Sequence, residues 1–276
     1  MDSSATTLGE TLRALAPLTG LLRVVEAMDG EAGWIDSEAL LWPQEGALAA
    51  VLDRVAAPEL GEVQSRKAAS AWFMLRFGWS CGPQIAGFLV FDRVLRVDDY
   101  ALKLPPGRQL DAVCVKAAAV CAADGGGRQR LLASLVRIVQ PVLESQHRWS
   151  GLSRGALWAL VTSSWASHFV HMGQQLGDEQ RGRHEAETLF ALLPQVSRAA
   201  PRLFTVASAG LVGVCQVRRD CCRNHRRSGG QYCTSCPLLG EPERLERYRG
   251  WVAARPLRRV AGLAFAVPFR TQASVD

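Results

Sequence analysis

Four cysteines within sixteen residues constrain the fold of this 276-residue chain more than any other feature. Their spacing is Cys221-Cys222-x10-Cys233-x2-Cys236. Thiolates at this density can close on one inorganic centre. The ten intervening residues contain a Ser-Gly-Gly run at 228–230, which lets the chain turn back on itself. The sequence therefore predicts a loop folded around a metal centre.

The spacing also bears on which centre is bound. Structural zinc sites normally use cysteine pairs separated by two to four residues, which Cys233 and Cys236 match. Cys221 and Cys222 do not match, because adjacent side chains diverge. A [2Fe–2S] cluster is longer and takes two thiolates per iron, so this spacing favours iron–sulfur over zinc. A disulfide between Cys221 and Cys222 is a third alternative, disfavoured in a reducing compartment.

Positive charge is concentrated around the same cysteines. The chain has a net charge of +6, but residues 218–259 alone hold eleven arginines and four acidic residues, a net of +7. We predict that the nearest arginines raise the potential of the centre and dock an anionic substrate or an acidic electron donor. The alternative is a solvated face that only offsets the charge of the cluster. These residues are Arg218, Arg219, Arg223, Arg226 and Arg227.

The remaining cysteines and the chain termini suggest a compartment. We interpret Cys81, Cys114, Cys121 and Cys215, which have apolar neighbours, as small buried hydrophobic residues. The first thirty residues lack the pattern of a secretory signal, and no uncharged apolar run reaches 18 residues. We therefore expect a cytoplasmic protein, in which clustered cysteines favour metal or redox chemistry over disulfides.

The hydrophobic pattern predicts an α+β fold: a predominantly α-helical body and a small antiparallel β-hairpin that leads into the cysteine loop. Residues 203–207 and 211–217 flank Ser208-Ala209-Gly210 and predict the hairpin. Residues 85–91 are either a strand or a buried helix, and residues 100–104 alternate like a strand. The predicted helices cover the leucine repeat at 8–22 and residues 38–55, 65–77, 109–122, 128–147, 153–172, 185–194 and 241–254.

We divide the chain into a helical body at 1–200, the hairpin and cluster region at 201–240, and a basic extension at 241–276. In the extension, Arg258-Arg259 precede an apolar run at 260–269. That run either closes over the body or lies on the inner membrane surface. His168 and His171, three residues apart on one predicted helix, are interpreted as packing or surface residues rather than metal ligands.

The run Arg-Arg-x-Cys-Cys-x10-Cys-x2-Cys at 218–236 resembles the C-terminal [2Fe–2S] domain of the FhuF-like ferric siderophore reductases. The strong resemblance covers residues 204–238. The helical body is similar to the family only in its general sequence pattern. Asp220 and His225 stand where relatives have a small hydroxyl residue and an aromatic residue, and forty residues follow the last cysteine. The resemblance implies that the cluster ligands, which form the redox centre, are Cys221, Cys222, Cys233 and Cys236.

The resemblance further implies a cytoplasmic enzyme of iron acquisition. Such an enzyme passes one electron from a [2Fe–2S] cluster to a ferric siderophore, an anionic or oxygen-chelated Fe³⁺ complex, and releases Fe²⁺. It needs an external electron donor, such as a ferredoxin or a reduced-nucleotide-dependent reductase. We expect a monomer that binds no nucleic acid.

Two alternatives stay open. One is a zinc-binding protein that uses the same cysteines for an interaction or for nucleic acid. The other is a siderophore-binding or synthetase-like domain that performs no reduction, although the chain carries no nucleotide motif. Candidate pocket residues, among which the sequence does not choose, are Arg76, Trp79, Arg93, Arg96, Lys103, Trp158 and Trp165.

Overall fold

The computed structural model of the protein describes residues 7–16, 22–56, 58–105, 110–226 and 229–254. Helices pack around one four-stranded sheet, and a second, two-stranded sheet leads into the cysteine loop. The α+β class predicted from the sequence is confirmed. Within the part of the chain that the structure describes, no helix combines the length and apolar character needed to cross a membrane.

The elements are bounded as follows: α1 Leu8–Leu15, β1 Arg23–Val25, β2 Trp34–Asp36, α2 Gly46–Val55, α3 Glu62–Phe77, α4 Gly82–Phe91, β3 Arg93–Lys103, β4 Ala112–Ala122, α5 Gly127–Ser150, α6 Arg154–Gln175, α7 Glu179–Ala191, α8 Pro194–Ala199, β5 Arg202–Ser208, β6 Leu211–Val217 and α9 Glu241–Ala253. Short 3-10 turns lie at Ala39–Leu41, Pro58–Leu60, Gly78–Cys81 and Asn224–Arg226.

The prediction of a helix at 109–122 is wrong, because most of this segment is strand β4. The larger sheet has the order β1-β4-β3-β2, and β4 pairs antiparallel with β3 from Ala112 opposite Lys103 to Ala122 opposite Arg93. The alanine-rich sequence has high helix propensity. Pairing along the whole strand, with residues 112–115 all buried, overrides that local preference.

The N-terminal third contains less helix than predicted. Helix α1 ends at Leu15, Leu22 immediately precedes β1, and residues 17–21 lie outside the described residues. The helix predicted at 38–55 is divided into the turn at Ala39–Leu41 and α2, with Pro43 between them. Strands β1 and β2 have three residues each, too few to produce a recognisable periodicity.

Residues 85–91, left open between strand and buried helix, belong to α4. The helix ends at Asp92, whose φ of +49° turns the chain directly into β3. That strand begins well before the predicted alternation at 100–104. The remaining predicted helices match α3, α5, α6, α7 and α9, and α7 begins at Glu179 rather than at residue 185.

Helix α6 is the central element of the body. Ser153 caps its N-terminus by accepting a hydrogen bond from the Ala156 amide at 3.2 Å, as the sequence predicts. Fifteen of its 22 residues are buried, so it contacts neighbours on nearly every side. Its closest neighbour is α7, where Gly173 and Gly182 bring the two backbones together.

The predicted hairpin is confirmed by β5 and β6, which pair antiparallel. Ala209 and Gly210 form its turn with φ values of +50° and +74°, the left-handed conformation that a two-residue hairpin turn requires. Helix α9 packs on the hairpin around a small core of its own, formed by Val206, Cys215, Tyr248 and Val252. Arg258, Arg259 and the apolar run at 260–269 lie outside the described residues.

The close approach of α6 and α7 predicts the effect of one added methyl group. A Cβ at Gly182 would lie 2.2 Å from the Phe169 carbonyl oxygen, so Gly182→Ala forces the two helices apart. We expect a loss of about 1–3 kcal/mol in the free energy of unfolding, measured with urea. Gly155→Ala on α6 is the control, because a Cβ added there would lie 4.0 Å from its nearest neighbour, Ser153 Oγ. An equal effect of both variants would contradict this packing.

Candidate metal centre

Strand β6 ends at Val217 and passes directly into the loop that carries the four cysteines. The Arg218 amide donates to the Ser235 carbonyl at 3.0 Å and closes the loop at its base. A turn joins the last two cysteines, since the Cys236 amide donates to the Cys233 carbonyl at 2.9 Å. The buried side chain of Arg244 on α9 donates to the Cys236 carbonyl at 3.1 Å. The loop is therefore held by both the hairpin and α9.

The loop arranges its four sulfur atoms as two pairs. Cys221 Sγ lies 3.7 Å from Cys236 Sγ, and Cys222 Sγ lies 4.0 Å from Cys233 Sγ. Two thiolates that share one tetrahedral metal with bonds of about 2.3 Å are about 3.8 Å apart. Each pair therefore has the separation of two ligands on one metal. The adjacent residues Cys221 and Cys222 contribute to different pairs, and their side chains are also hydrogen-bonded to each other.

The two sulfur pairs are in contact, since the side chains of Cys221 and Cys222 are also hydrogen-bonded to each other. Among the described residues, no group of three or more His, Cys, Asp or Glu side chains is placed to hold one metal ion. A single structural zinc ion would take all four of these thiols. A [2Fe–2S] cluster takes two cysteines on each of two irons, which the pairs Cys221–Cys236 and Cys222–Cys233 can supply.

A buried arginine contacts one of these pairs. Arg218 is 4% exposed, and its Nη2 donates to Cys222 Sγ at 3.5 Å and also to Cys233 Sγ. Its Nε has no partner among the described residues. A buried guanidinium is costly unless it faces negative charge. Its position therefore favours thiolate rather than thiol at this pair.

The ionisation of the sulfurs follows the same contacts. Hydrogen bonds from Cys221 and Cys233, with the charge of Arg218, hold the pKa of Cys222 well below its ordinary value, although burial opposes them. The pKa values of Cys221 and Cys233 are raised by hydrogen bonding to Cys222 and by burial. Cys221 Sγ also accepts the Arg223 amide at 3.3 Å and lies 3.5 Å from His225 Nδ1. Negative charge is thus stabilised on Cys222 and disfavoured on Cys221 and Cys233.

The five arginines named from the sequence occupy different environments. Arg218 is buried against the sulfurs and does not face solvent. Arg223 is half-buried and donates to Gln64 Oε1 on α3 at 3.1 Å, which ties the loop to the body. Arg219 and Arg226 are exposed, and Arg227 lies outside the described residues. Among the described members of these five arginines, Arg219 and Arg226 are the ones exposed for docking.

A cavity of about 470 Å³ lies between the cysteine loop, α3 and α6. Cys222 and Cys233 form part of its wall, whereas Cys221 and Cys236 are not among the described residues that line it. The walls contributed by α3 and by the following turn include Trp72, Arg76 and Trp79. The remaining polar lining consists of Ser163, Ser164, Ser167, Gln216, Arg218, Asn224 and Ser235.

This cavity selects among the pocket candidates named from the sequence. Arg76 and Trp79 line it. Trp158 lines a different cavity beside Arg219, and Trp165 is fully buried. The other candidates lie on β3, in the larger sheet, and are Arg93, Arg96 and Lys103. Trp72 was missed, because nothing in its local sequence distinguishes it from a core tryptophan.

His168 supports the cavity wall from behind. Its side chain is 1% exposed, its Nε2 hydrogen-bonds the Trp79 carbonyl oxygen at 2.9 Å, and its ring lies 4.3 Å from the Trp79 ring. This confirms that His168 is a packing residue rather than a ligand. Burial lowers its pKa to about 3, so the ring is neutral in the folded protein at neutral pH. His171 is half-buried and lines a neighbouring cavity.

The other cysteines match their predicted burial in three of four positions. Cys81, Cys114 and Cys215 are buried. The prediction for Cys121 is wrong, because this residue is exposed near the end of β4, where the strand extends beyond the core. No disulfide joins any of the eight cysteines, all of which lie within the described residues.

Two comparisons with known proteins found no counterpart. No protein family model matches the chain, and no curated protein matches it.

The buried His168 predicts how stability depends on pH. Its pKa is about 3 in the folded protein and about 6.5 when unfolded, so the unfolded state binds the extra proton between these values. The contribution of neutral His168 to the free energy of unfolding is complete above pH 6.5. Below that pH it falls by about 1.4 kcal/mol per pH unit. Urea unfolding at pH 7.5 and 5.0 should therefore differ less in His168→Gln than in the wild type.

The exposed His184 on α7 supplies the matched control for this experiment. His184→Gln should retain the full pH dependence of the wild type. A His168→Gln variant with that same dependence would show that His168 does not titrate as its burial requires.

Proposed function

We propose that the protein is a ferric siderophore reductase whose four clustered cysteines hold a [2Fe–2S] cluster. The observation that carries the proposal is the clustering of four thiols in one loop, with Cys221 Sγ 3.7 Å from Cys236 Sγ and Cys222 Sγ 4.0 Å from Cys233 Sγ. Cys222 and Cys233 also form part of the wall of a cavity of about 470 Å³. A cavity of this size suits a small-molecule ligand. The resemblance of residues 218–236 to the reductase family supports the same function.

The chemistry needs one electron and a weakly held product. When bound, a [2Fe–2S] cluster supplies electrons one at a time. The substrate Fe³⁺ gains one electron and becomes Fe²⁺, which hard oxygen ligands hold much less tightly, so the metal leaves its chelate. An external one-electron donor, a ferredoxin or a reduced-nucleotide-dependent reductase, replaces the electron that was transferred.

The residues of the chain set the electrostatics of this chemistry. Arg218 places a buried positive charge against Cys222 and Cys233, and the Arg223 amide hydrogen-bonds Cys221. Both contacts stabilise negative charge on sulfur. The reduced centre carries one more negative charge than the oxidised centre, so the contacts stabilise it more. They therefore favour acceptance of an electron and raise the reduction potential.

We also propose a cytoplasmic location. Eight cysteines without a disulfide, including four whose sulfurs lie in close pairs, suit a reducing compartment. In an oxidising compartment, cysteines at these separations would form disulfides after small side-chain movements.

Metal analysis after anaerobic purification tests the proposal. We expect about two iron atoms and two acid-labile sulfides per chain, with visible absorption that dithionite bleaches. An accepted ferric chelate should restore the colour and yield one Fe²⁺ per chain, trapped by a ferrous chelator. Cys233→Ser should abolish iron binding and colour, whereas Cys121→Ser, at an exposed cysteine outside the loop, should preserve both.

Three results would contradict the proposal. A colourless protein with one zinc per chain would identify the same cysteines as a zinc site. A coloured protein that no ferric chelate re-oxidises would exclude the reductase function. Unchanged iron release from a siderophore by Cys233→Ser in cells would also exclude it, even with the cluster present in the wild type.

Arg218 yields a second prediction, for the reduction potential. A hydrogen bond to a charged group contributes about 1.5–3 kcal/mol, which corresponds to about 60–130 mV for a one-electron couple. Because Arg218 stabilises both oxidation states and the reduced state more, Arg218→Gln should lower the midpoint potential by at most about this amount. Arg218→Lys should recover part of the loss. Arg219→Gln is the control, since this neighbour is exposed and should change the potential much less; equal shifts would contradict the role of Arg218.

A further inference from the structure

We infer that the cavity beside Cys222 and Cys233 binds oxygen chelates that are anionic and carry aromatic rings, through Arg76, Trp72 and Trp79. The ferric identity of the bound metal rests on the proposed function, whereas the binding preference does not. The inference follows from the charge, the aromatic surface and the incomplete hydrogen bonding of the cavity wall.

Apart from the sulfurs of Cys222 and Cys233, the charged groups of the described wall are positive. Among the described residues that line the cavity there are two arginines, Arg76 and Arg218, and no aspartate or glutamate. Arg218 is directed at the sulfurs of Cys222 and Cys233, which its charge offsets. Of the two arginines, Arg76 therefore places its positive charge in the wall on the α3 side, whereas Arg218 contacts the sulfurs. An anionic ligand is therefore favoured at the α3 side of the cavity.

Arg76 is held in a fixed position by Trp72. Its guanidinium carbon lies 4.3 Å from the centre of the Trp72 ring, and its Nη1 donates to the Trp72 carbonyl oxygen at 3.4 Å. Both contacts join residues four apart on the same helix. A guanidinium ordered in this way loses little conformational freedom when it binds an oxygen anion.

Two indoles supply the aromatic surface. Trp72 and Trp79 both line the cavity, and Trp79 is fixed by the buried ring and the hydrogen bond of His168. Large rigid rings stack well on planar ligand groups at a small entropic cost. Aryl oxygen chelators such as catecholates present planar rings together with negative charge. Trihydroxamate complexes of Fe³⁺ are neutral and lack such rings.

Two buried polar atoms of the wall have no hydrogen-bond partner among the described residues. Gln216 is oriented by its Nε2, which donates to Ser167 Oγ at 2.7 Å and to the Ser163 carbonyl at 3.3 Å. Its Oε1 and the Nε of Arg218 are buried and have no partner among the described residues. Unpaired buried polar atoms are unusual in a finished protein interior. A ligand, or water ordered by a ligand, would complete this network.

Calorimetric titration with gallium complexes tests the inference on the purified protein with its native metal content. Ga³⁺ has the charge of Fe³⁺ and nearly its size, but it is not reduced, so binding is measured without electron transfer. The probes are the trianionic gallium tris-catecholate and a neutral gallium trihydroxamate. We expect the anionic complex to bind about tenfold or more tightly than the neutral complex.

Variants of the wall locate the site. Arg76→Gln should weaken the anionic complex by about tenfold or more, and Arg76→Lys should restore part of that loss. Trp72→Leu should weaken it as well, while melting temperatures confirm that each variant is folded. Arg66→Gln is the control, on the same helix but outside the cavity wall, and should bind like the wild type.

Equal binding of the two complexes, or unchanged binding by Arg76→Gln and Trp72→Leu, would overturn the inference. Failure of the proposed function is separate. If the gallium complex binds through Arg76 but the protein carries zinc or reduces no ferric chelate, the site stands and the reductase function fails. If ferric chelates are reduced but Arg76→Gln does not change binding of the gallium complex, the reductase function stands and this site is wrong.

Discussion

The contact between the Arg218 guanidinium and the sulfurs of Cys222 and Cys233 is the interaction on which the site depends. A positive charge that is 96% removed from solvent requires compensating negative charge within hydrogen-bonding distance, and these sulfurs are the groups that can supply it. Arg218 follows β6 directly, so the hairpin fixes where the charge lies. The loop then folds around that charge, with its base closed by the hydrogen bond from Arg218 to Ser235.

The body of the protein determines what the sulfurs face. Gln216 at the end of β6 bonds to Ser163 and Ser167 on α6, and Arg223 reaches Gln64 on α3. These contacts draw the loop against the two helices without filling the space between them. The cavity that results has one sulfur pair on one side and the Trp72 and Arg76 surface on the other. In the account proposed here, reduction and substrate binding thus depend on one docking of the loop onto α3 and α6.

Local patterns in the sequence were sufficient where the determinants are local. The cysteine spacing, the turn at Ala209 and Gly210, and the Ser153 cap predicted the loop, the hairpin and the start of α6. The strand at Ala112–Ala122 could not be predicted this way, because its alanines favour a helix and only pairing with β3 makes it a strand. The cavity could not be predicted either. Its Arg76 and Trp79 resemble many other candidates until the fold brings them beside Cys222 and Cys233.

Under the proposed function, the two thiol pairs hold two irons. Mössbauer spectroscopy of protein produced with ⁵⁷Fe and purified anaerobically tests it most directly, because each iron site reports its own charge and ligands. We expect two ferric sites in equal amount with tetrahedral sulfur coordination, and one ferric and one ferrous site after reduction by one electron. A single iron site per chain, or no iron signal in a protein that holds one zinc, would contradict it.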